Sequence, residues 1–269
     1  MTESLRKRVV TAVVLAVLFL GVLLFLPPLA TVIVITALVL TGAWEWSAFL
    51  RAQRGTARAA YVIFVGMLLV GVWYAADVLD VLRIILVTAL VWWVIALAWI
   101  IFAPRRVAPW SAGLAGLLAL VPAWLALVRL RYFPHGAQWV LFILLLVWSA
   151  DIGAYFAGHR FGRIRLAPEV SPGKTWEGVL GGFALSAIVA VAGSAWFALP
   201  LYTFVPLCLA AVAFSIVGDL TESLLKRFAG VKDSGTLFPG HGGVMDRIDS
   251  VTGAAPVLFF GLTVLGVIA

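Results

Sequence analysis

Four polar residues in the C-terminal third of the chain stand at positions that an α-helix would bring to one face. Asp219, Glu222, Ser223 and Lys226 follow the spacing i, i+3, i+4 and i+7, and residues at this spacing share one side of a helix. Two carboxylates, a hydroxyl and an ammonium would then meet on one surface. The spacing therefore predicts a polar surface that could bind a charged ligand.

A glycine-rich stretch follows this predicted face. It contains Lys232-Asp233 and then His241-Gly242-Gly243, where the glycines would let backbone N–H groups come close to a phosphate. Asp246 and Asp249, three positions apart, would lie together on the first turn of the last helix. Their carboxylate oxygens suit a hard cation such as Mg²⁺ better than they suit zinc.

Each of these residues also has a plain structural interpretation. Glu222 and Lys226 could form an ordinary i,i+4 surface pair, and Asp246 could be a helix-start residue. Charge is nevertheless far denser between Asp219 and Asp249 than in the rest of a chain in which only 12% of residues are charged. A functional site explains that density better than a connecting loop does.

A second candidate cluster begins at Asp151. This carboxylate is predicted about two turns inside a membrane helix, where it is costly unless paired, solvated or bound to metal; a shorter helix with Asp151 at the headgroup level fits equally well. The segment from Ser171 to Gly178 contains Lys174 and suits a phosphate at a helix N-terminus or a plain capping turn. It is not a P-loop, because Pro168 stands where that motif requires glycine.

Composition determines the environment in which these residues must work. Of the 269 residues, 64% are hydrophobic, and the mean hydropathy is +1.13, a balance that a water-soluble fold could not bury. The long apolar runs lack the period-2 alternation of barrel strands, so helices must cross the membrane. The single cysteine, Cys208, excludes an intrachain disulfide.

Nine spans result when the uncharged runs are divided at about 20 residues and at prolines such as Pro27-Pro28 and Pro200. The sequence thus predicts an all-α, polytopic transmembrane protein. The predicted spans are 9–26, 29–49, 59–76, 84–103, 110–128, 137–157, 178–198, 201–220 and 250–269.

The distribution of basic residues predicts the orientation. With the N-terminus in the cytoplasm, 16 of the 19 Lys and Arg residues fall on the cytoplasmic side, the exceptions being Arg83, Arg129 and Arg131. The two longest polar loops, 158–177 and 221–249, would then be cytoplasmic.

We expect one integral membrane unit: N-terminal helices of unclear role at 1–136, and helices with catalytic loops at 137–269. The net charge of +7 fits orientation and anionic lipid headgroups and does not imply nucleic acid.

The run from Ser223 to Asp249 resembles the signature of the phosphatidate cytidylyltransferases, or CDP-diacylglycerol synthases. The positions that match in spacing are Ser223, Lys226-Arg227, Lys232-Asp233, Gly235, Phe238-Pro239, His241-Gly242-Gly243, Asp246-Arg247 and Asp249. Asp151 to Tyr155 and the loop at Ser171 resemble upstream blocks of that family, so the similarity covers roughly the C-terminal half. One departure is Gly173, where many members have a second lysine; any basic role there is assigned to Lys174 alone.

The resemblance implies transfer of CMP from CTP to phosphatidate, by attack of a phosphate oxygen on the α-phosphorus. It implies Mg²⁺ and a monovalent cation such as K⁺, a homodimer, and a multi-pass protein of the cell (inner) membrane with its site facing the cytoplasm. Asp219, Asp246 and Asp249 are the expected metal ligands and, with Lys226 and Arg227, the expected catalytic residues. The expected substrate-binding residues are Asp151, Ser171, Lys174, Ser223, Lys232, Asp233, His241, Gly242, Gly243 and Arg247.

Two other classes of protein compete with an enzyme. A secondary transporter for an anionic compound would show internal repeats and binding groups near the bilayer midplane, whereas here the polar residues concentrate at one face without a convincing repeat. A structural or assembly factor leaves the acidic clusters unexplained. Within the enzyme class, another lipid phosphate, such as an ether lipid, remains an alternative substrate.

Overall fold

The computed structural model describes residue 14 and residues 16–50, 55–237 and 242–268 of the chain. Within these ranges the chain forms nine α-helices, one turn of 3-10 helix (Ser47–Leu50) and one two-stranded hairpin. The helices are α1 (Ala16–Phe25), α2 (Pro28–Trp46), α3 (Gly55–Ala75), α4 (Leu79–Phe102), α5 (Pro109–Tyr132), α6 (Gly136–Phe161), α7 (Trp176–Trp196), α8 (Leu201–Ala229) and α9 (Met245–Val264).

Each predicted span overlaps one of these helices. Seven of the helices in the described residues, α2 to α8, are long and apolar enough to cross a membrane, which confirms the all-α, polytopic prediction. Pro28 and Leu201 begin helices directly after the turns predicted at Pro27-Pro28 and Pro200. The number of crossings and the side on which the N-terminus lies stay predictions.

Two helices extend beyond their predicted ends. α6 continues to Phe161 and α8 to Ala229, so much of the predicted loop 221–249 is helical. α8 ends at Gly230, whose φ of 72° is the left-handed conformation that favours glycine at a helix C-terminus. The helical face predicted from Asp219 to Lys226 is therefore formed.

The polar segment between α6 and α7, predicted as part of the loop 158–177, contains an antiparallel hairpin. Strand β1 (Arg165–Ala167) pairs with β2 (Ser171–Thr175). Both strands are too short and too polar to stand out as a period-2 pattern. The hairpin gives the backbone groups of this segment hydrogen-bond partners and holds Lys174 in β2 beside α8.

Successive helices run in opposite directions, so their connections gather at two ends of the bundle. At one end Trp46 Nε1 of α2 donates to Ala112 O of α5 at 2.8 Å, and Arg227 Nε of α8 donates to Val170 O of the hairpin at 3.3 Å. The hairpin, residues 230–237 and residues 242–244 lie here. We call this the polar end.

The hydrophobic core crosses the boundary predicted between residues 136 and 137. Ala126 and Leu130 of α5 pack in one buried cluster with Phe142 of α6 and Phe259 of α9. The two parts thus share one core, in keeping with a single membrane unit. Their separate roles stay a prediction.

Candidate active site

A buried lysine lies between α8 and α9 at the polar end. Lys226 Nζ donates to Glu222 Oε2 at 2.5 Å and to Asp246 Oδ1 at 2.7 Å, and the Glu222 side chain is fully buried. The pair predicted from the i,i+4 spacing therefore exists, but it is internal rather than a surface pair. Lys226 neutralises carboxylates from two helices and is only 13% exposed.

The same carboxylates continue inward to Asp249. Asp249 is buried, and its carboxyl contacts that of Glu222 and interacts with Asp219. Glu222 Oε1 is buried, and no hydrogen-bond donor from the described residues reaches it. We define Lys226, Glu222, Asp246 and Asp249 as the Lys226 cluster; it holds more carboxylates than ammonium groups.

A second lysine–carboxylate pair lies nearer to solvent. Lys174 Nζ forms an ion pair with Asp219 Oδ2, with 29% and 27% of the two side chains exposed. Ser223 Oγ donates to the other oxygen of Asp219 at 3.4 Å. Thr175, next to Lys174, caps α7 by accepting from Gly178 N at 3.1 Å, as the capping interpretation predicted. The hairpin thereby sets Lys174 against the face of α8.

Asp151 joins this pair from α6. It interacts electrostatically with Asp219, Lys174 and Arg247. Asp151 lies ten residues before the end of α6, about 15 Å at 1.5 Å per residue, which is deeper than the two turns expected from the shorter predicted span. The structure thus brings the predicted substrate-binding residues Asp151, Lys174 and Ser223 to Asp219, and Arg247 interacts with Asp151.

The glycine segment contacts protein carboxylates in the structure. Gly243 N donates to Asp246 Oδ2 at 2.8 Å, and Gly242 adopts a φ of 77°, which glycine tolerates. The anionic group that the Gly243 N–H contacts is therefore the Asp246 side chain, whereas the sequence predicted a phosphate at these glycines. His241 lies outside the described residues.

The remaining predicted residues lie at the rim of the polar end. Lys232, Asp233 and Arg247 are exposed, and Ser171 is half-buried in β2. Arg227 is exposed, and its Nε tethers α8 to the hairpin through Val170 O. Their positions leave Lys232 and Arg247 accessible to a ligand that approaches from water.

Glu45 of α2 is not among the predicted site residues: its place between Trp44 and Trp46, near the end of the second predicted span, favours interfacial anchoring instead. The structure contradicts that interpretation: Glu45 is 5% exposed, and its carboxylate accepts hydrogen bonds from Val244 N at 3.0 Å and Met245 N at 2.8 Å. Its presence in an apolar run was the available signal, since such a carboxylate needs partners.

Of the predicted metal ligands, Asp249 interacts with Asp219, but the three carboxylates do not form a ready ligand set. Among the residues that the structure describes, no three His, Cys, Asp or Glu side chains are arranged to hold a metal ion; Asp219 and Asp246 are each paired with a lysine. The candidate ligands are all carboxylates, however, and no hydrogen-bond donor from the described residues reaches Glu222 Oε1. In type, though not in arrangement, they fit Mg²⁺.

Comparisons with known proteins cover almost the whole chain. Residues 6–265 match the model of a family described as the cytidylyltransferase family. A phosphatidate cytidylyltransferase of Pseudomonas aeruginosa is 42% identical over 261 residues, 94% of this chain and 95% of the relative. The enzyme of that name from Haemophilus influenzae is 38% identical over 281 residues, 94% and 96% of the two chains. That of Bacillus subtilis is 40% identical over 129 residues, 47% and 48% of the two chains.

Proposed function

The chain belongs to the cytidylyltransferase family, and from this premise we propose that it transfers CMP from CTP to phosphatidate, releasing pyrophosphate and forming CDP-diacylglycerol. The observation that carries the proposal is the set of charges at the polar end. Lys174 and Asp219 are paired there beside Asp151 and Arg247, where groups of both signs can meet a nucleotide and a lipid headgroup.

The reaction needs one bond to form and one to break. A phosphate oxygen of phosphatidate attacks the α-phosphorus of CTP in line, and the bond from that phosphorus to the bridging oxygen breaks as pyrophosphate leaves. Both substrates are polyanions, so positive groups must reduce their repulsion. Lys174, Lys232 and Arg247 are accessible enough to do so.

Lys226 has a different role in this proposal. It is only 13% exposed and already donates to two carboxylates, so in place of the direct catalytic role expected from the resemblance we propose that it holds Asp246 and Glu222 in position. Such a site lowers the activation barrier mainly by orienting its two substrates. Holding two reactants together can lower the barrier by several kcal/mol, since the effective molarities of intramolecular reactions correspond to about 7 to 11 kcal/mol at best.

Mg²⁺ dependence, with a monovalent cation such as K⁺, is part of the proposal. Asp219, Asp246 and Asp249 would hold Mg²⁺, and the support for this is their carboxylate chemistry and the interaction of Asp249 with Asp219. When bound, the ion would neutralise charge on the phosphate oxygens. The chain's own residues would still bind and orient both substrates.

The setting of the enzyme is also proposed. The basic residues favour nine crossings, a cytoplasmic N-terminus and a polar end that faces the cytoplasm. The expected location is the cell (inner) membrane, where the phosphate of phosphatidate lies at the headgroup plane while its acyl chains stay in hydrocarbon. A homodimer is proposed from the family resemblance alone.

Purified full-length protein in detergent tests the activity directly. Incubated with Mg²⁺, phosphatidate and CTP labelled at the α-phosphorus, it should produce a labelled lipid and an equal amount of pyrophosphate. Asp219→Asn removes a proposed metal ligand beside Lys174. It should lower kcat/KM about 100-fold or more, because loss of even a hydrogen-bond partner of a metal ligand lowers activity by up to about 100-fold. Chelation of Mg²⁺ should abolish labelling, and adding it back should restore it.

Asp77→Asn is the matched control. Asp77 is also an aspartate paired with a basic residue, Arg129 at 2.8 Å, but it lies at the opposite end of the bundle. It should retain wild-type turnover. Movement of an anionic compound across vesicles without lipid labelling would favour the transporter and contradict the enzyme; full turnover of Asp219→Asn would remove Asp219 from the site and leave the family membership intact.

A further inference from the structure

Glu45 is a buried carboxylate in the half of the chain whose role is unclear. It lies at the C-terminal end of α2, and only 5% of it is exposed. A buried carboxylate is costly unless its oxygens accept hydrogen bonds. Its partners therefore indicate what it does.

Among the residues that the structure describes, the donors that bond to Glu45 lie on residues 230–237 and 242–246, between the body of α8 and that of α9, which we call the active-site segment. Glu45 Oε1 accepts from Val244 N at 3.0 Å, and Oε2 accepts from Met245 N at 2.8 Å. Val244 and Met245 start α9, where N–H groups have no partner within the helix and favour negative charge. Glu45 thus caps α9 from a helix about 200 positions away in sequence.

A shared hydroxyl connects Glu45 to the Lys226 cluster. Ser234 Oγ lies 3.1 Å from Glu45 Oε2 and 2.9 Å from Asp246 Oδ2. Its single proton can be donated to only one carboxylate at a time, while Ser234 N also donates to Asp246 Oδ2 at 3.0 Å. The orientation of Asp246 therefore depends on where Ser234 is held.

Two glycines allow the segment to close around Glu45. A Cβ added to Gly235 would lie 2.3 Å from Glu45 Oε1, and one added to Gly243 would lie 2.2 Å from Oε2. Only glycine leaves room for these approaches. The carboxylate is therefore enclosed on two sides by the segment that carries the site.

We propose that Glu45 is a positioning residue for CMP transfer, which holds Ser234, Gly243 and the start of α9 so that Asp246 faces Lys226 and the substrates. This inference rests on the proposed function. Glu45 is not a catalytic residue, because its oxygens are buried and bonded to the protein itself. The positioning role of Glu45 gives the N-terminal helices a function, because they anchor the active-site segment of the C-terminal half.

The kinetic test is Glu45→Gln in the full-length protein. A glutamine fits the space, but it replaces one of the two acceptor oxygens with an amide nitrogen. That nitrogen cannot accept a hydrogen bond from Val244 N or Met245 N, whichever it faces. The value of kcat/KM should fall about 10- to 100-fold, as for other supporting partners of site ligands, with most of the loss in kcat. The matched control is Thr36→Val, which removes a partly buried hydrogen bond of the same helix, Trp124 Nε1 to Thr36 Oγ1 at 2.8 Å, and should leave kcat unchanged.

A double-mutant cycle with Ser234→Ala separates positioning from general packing. If Glu45 acts through Ser234, the loss in kcat for Glu45→Gln plus Ser234→Ala should be smaller than the product of the two single losses. A loss in kcat for the double variant equal to the product of the two single losses would overturn the proposal. So would equal losses for Glu45→Gln and Thr36→Val.

Hydrogen exchange tests the anchor without relying on activity. Peptides that contain Val244 and Met245 should exchange at least about fivefold faster in Glu45→Gln, because a lost acceptor lowers local protection, and should not change in Thr36→Val. Unchanged exchange in Glu45→Gln would overturn the anchor, and faster exchange with normal kcat and KM would overturn the positioning role. Absence of CMP transfer by the wild-type protein would refute the proposed function, while the exchange result would still decide whether Glu45 holds the segment.

Discussion

Lys226 is the residue on which the charge balance of the buried site depends. It is the shared donor of Glu222 from its own helix and Asp246 from α9, and a third carboxylate, Asp249, contacts Glu222. Removing one partner of a buried ion pair leaves the other charge uncompensated, which costs more than the pair itself contributes. Lys226 therefore affects stability as well as activity.

Lys226→Met tests this balance. It should lower the free energy of unfolding by about 3 to 5 kcal/mol, the usual cost of leaving a buried charge unpaired, and adding Glu222→Gln should recover part of the loss. Thermal unfolding in detergent measures both changes. Lys232→Met, at an exposed lysine, should stay within about 0.5 kcal/mol of wild type; equal effects at the two lysines would show that Lys226 is not a buried counter-ion.

Close packing of α6 against α7 is the main feature at the scale of elements. A Cβ on Gly181 would lie 2.2 Å from Ala157 Cβ and 2.6 Å from Gly153 O, so the two backbones approach where small residues allow it. At the far end of the pair, Trp139 and Phe197 stack with their ring centroids 3.6 Å apart. This packing sets the distance between Asp151 on α6 and Lys174, which directly precedes α7.

Gly181→Ala should therefore destabilise the protein. The added methyl cannot be accommodated without a backbone shift, and overpacking of this kind costs about 1 to 3 kcal/mol. Gly71→Ala in α3 is the control, because no atom lies within 4 Å of its added Cβ and alanine favours helix by about 1 kcal/mol. Unfolding temperatures in detergent should move in opposite directions; a stabilised Gly181→Ala would mean that the helices are not in close contact.

At the scale of the whole molecule, two of the three basic residues that break the positive-inside pattern, Arg129 and Arg131, have partners at the end opposite the polar end. Arg129 donates to Asp77 Oδ1 at 2.8 Å and to Trp73 O at 2.9 Å. Arg131 donates to Leu26 O at 3.1 Å, close to the turn between α1 and α2. These arginines thus stabilise connections between helices. Their positions do not weigh against a cytoplasmic polar end.

Labelling of single cysteines tests that orientation. Val231, next to the polar end, and Val78, in the turn between α3 and α4, are 40% and 57% exposed, while the natural Cys208 is buried. A membrane-impermeant maleimide should label Val231→Cys in inside-out vesicles of the cell membrane and Val78→Cys in right-side-out vesicles. The wild-type chain measures background, and the reverse pattern would place the polar end outside.

The sequence alone predicted the features that are encoded within one stretch of chain. Hydropathy and prolines placed the helices, because each apolar run must satisfy its own backbone in hydrocarbon. The spacing of Asp219, Glu222 and Lys226 predicted their shared face, because helical periodicity is local. The approach of a phosphate to the backbone at Gly243, also inferred from sequence, stays a prediction.

Tertiary structure decided which charges meet. Lys174 pairs with Asp219 and Lys226 with Asp246, although the sequence offered every combination of these groups. Glu45 reaches Val244 across 199 positions, and no local pattern specifies a contact between segments so far apart. Local periodicity determines the face on which a side chain lies, but its partner is chosen by the packing of whole helices, which depends on the shape of every residue between them.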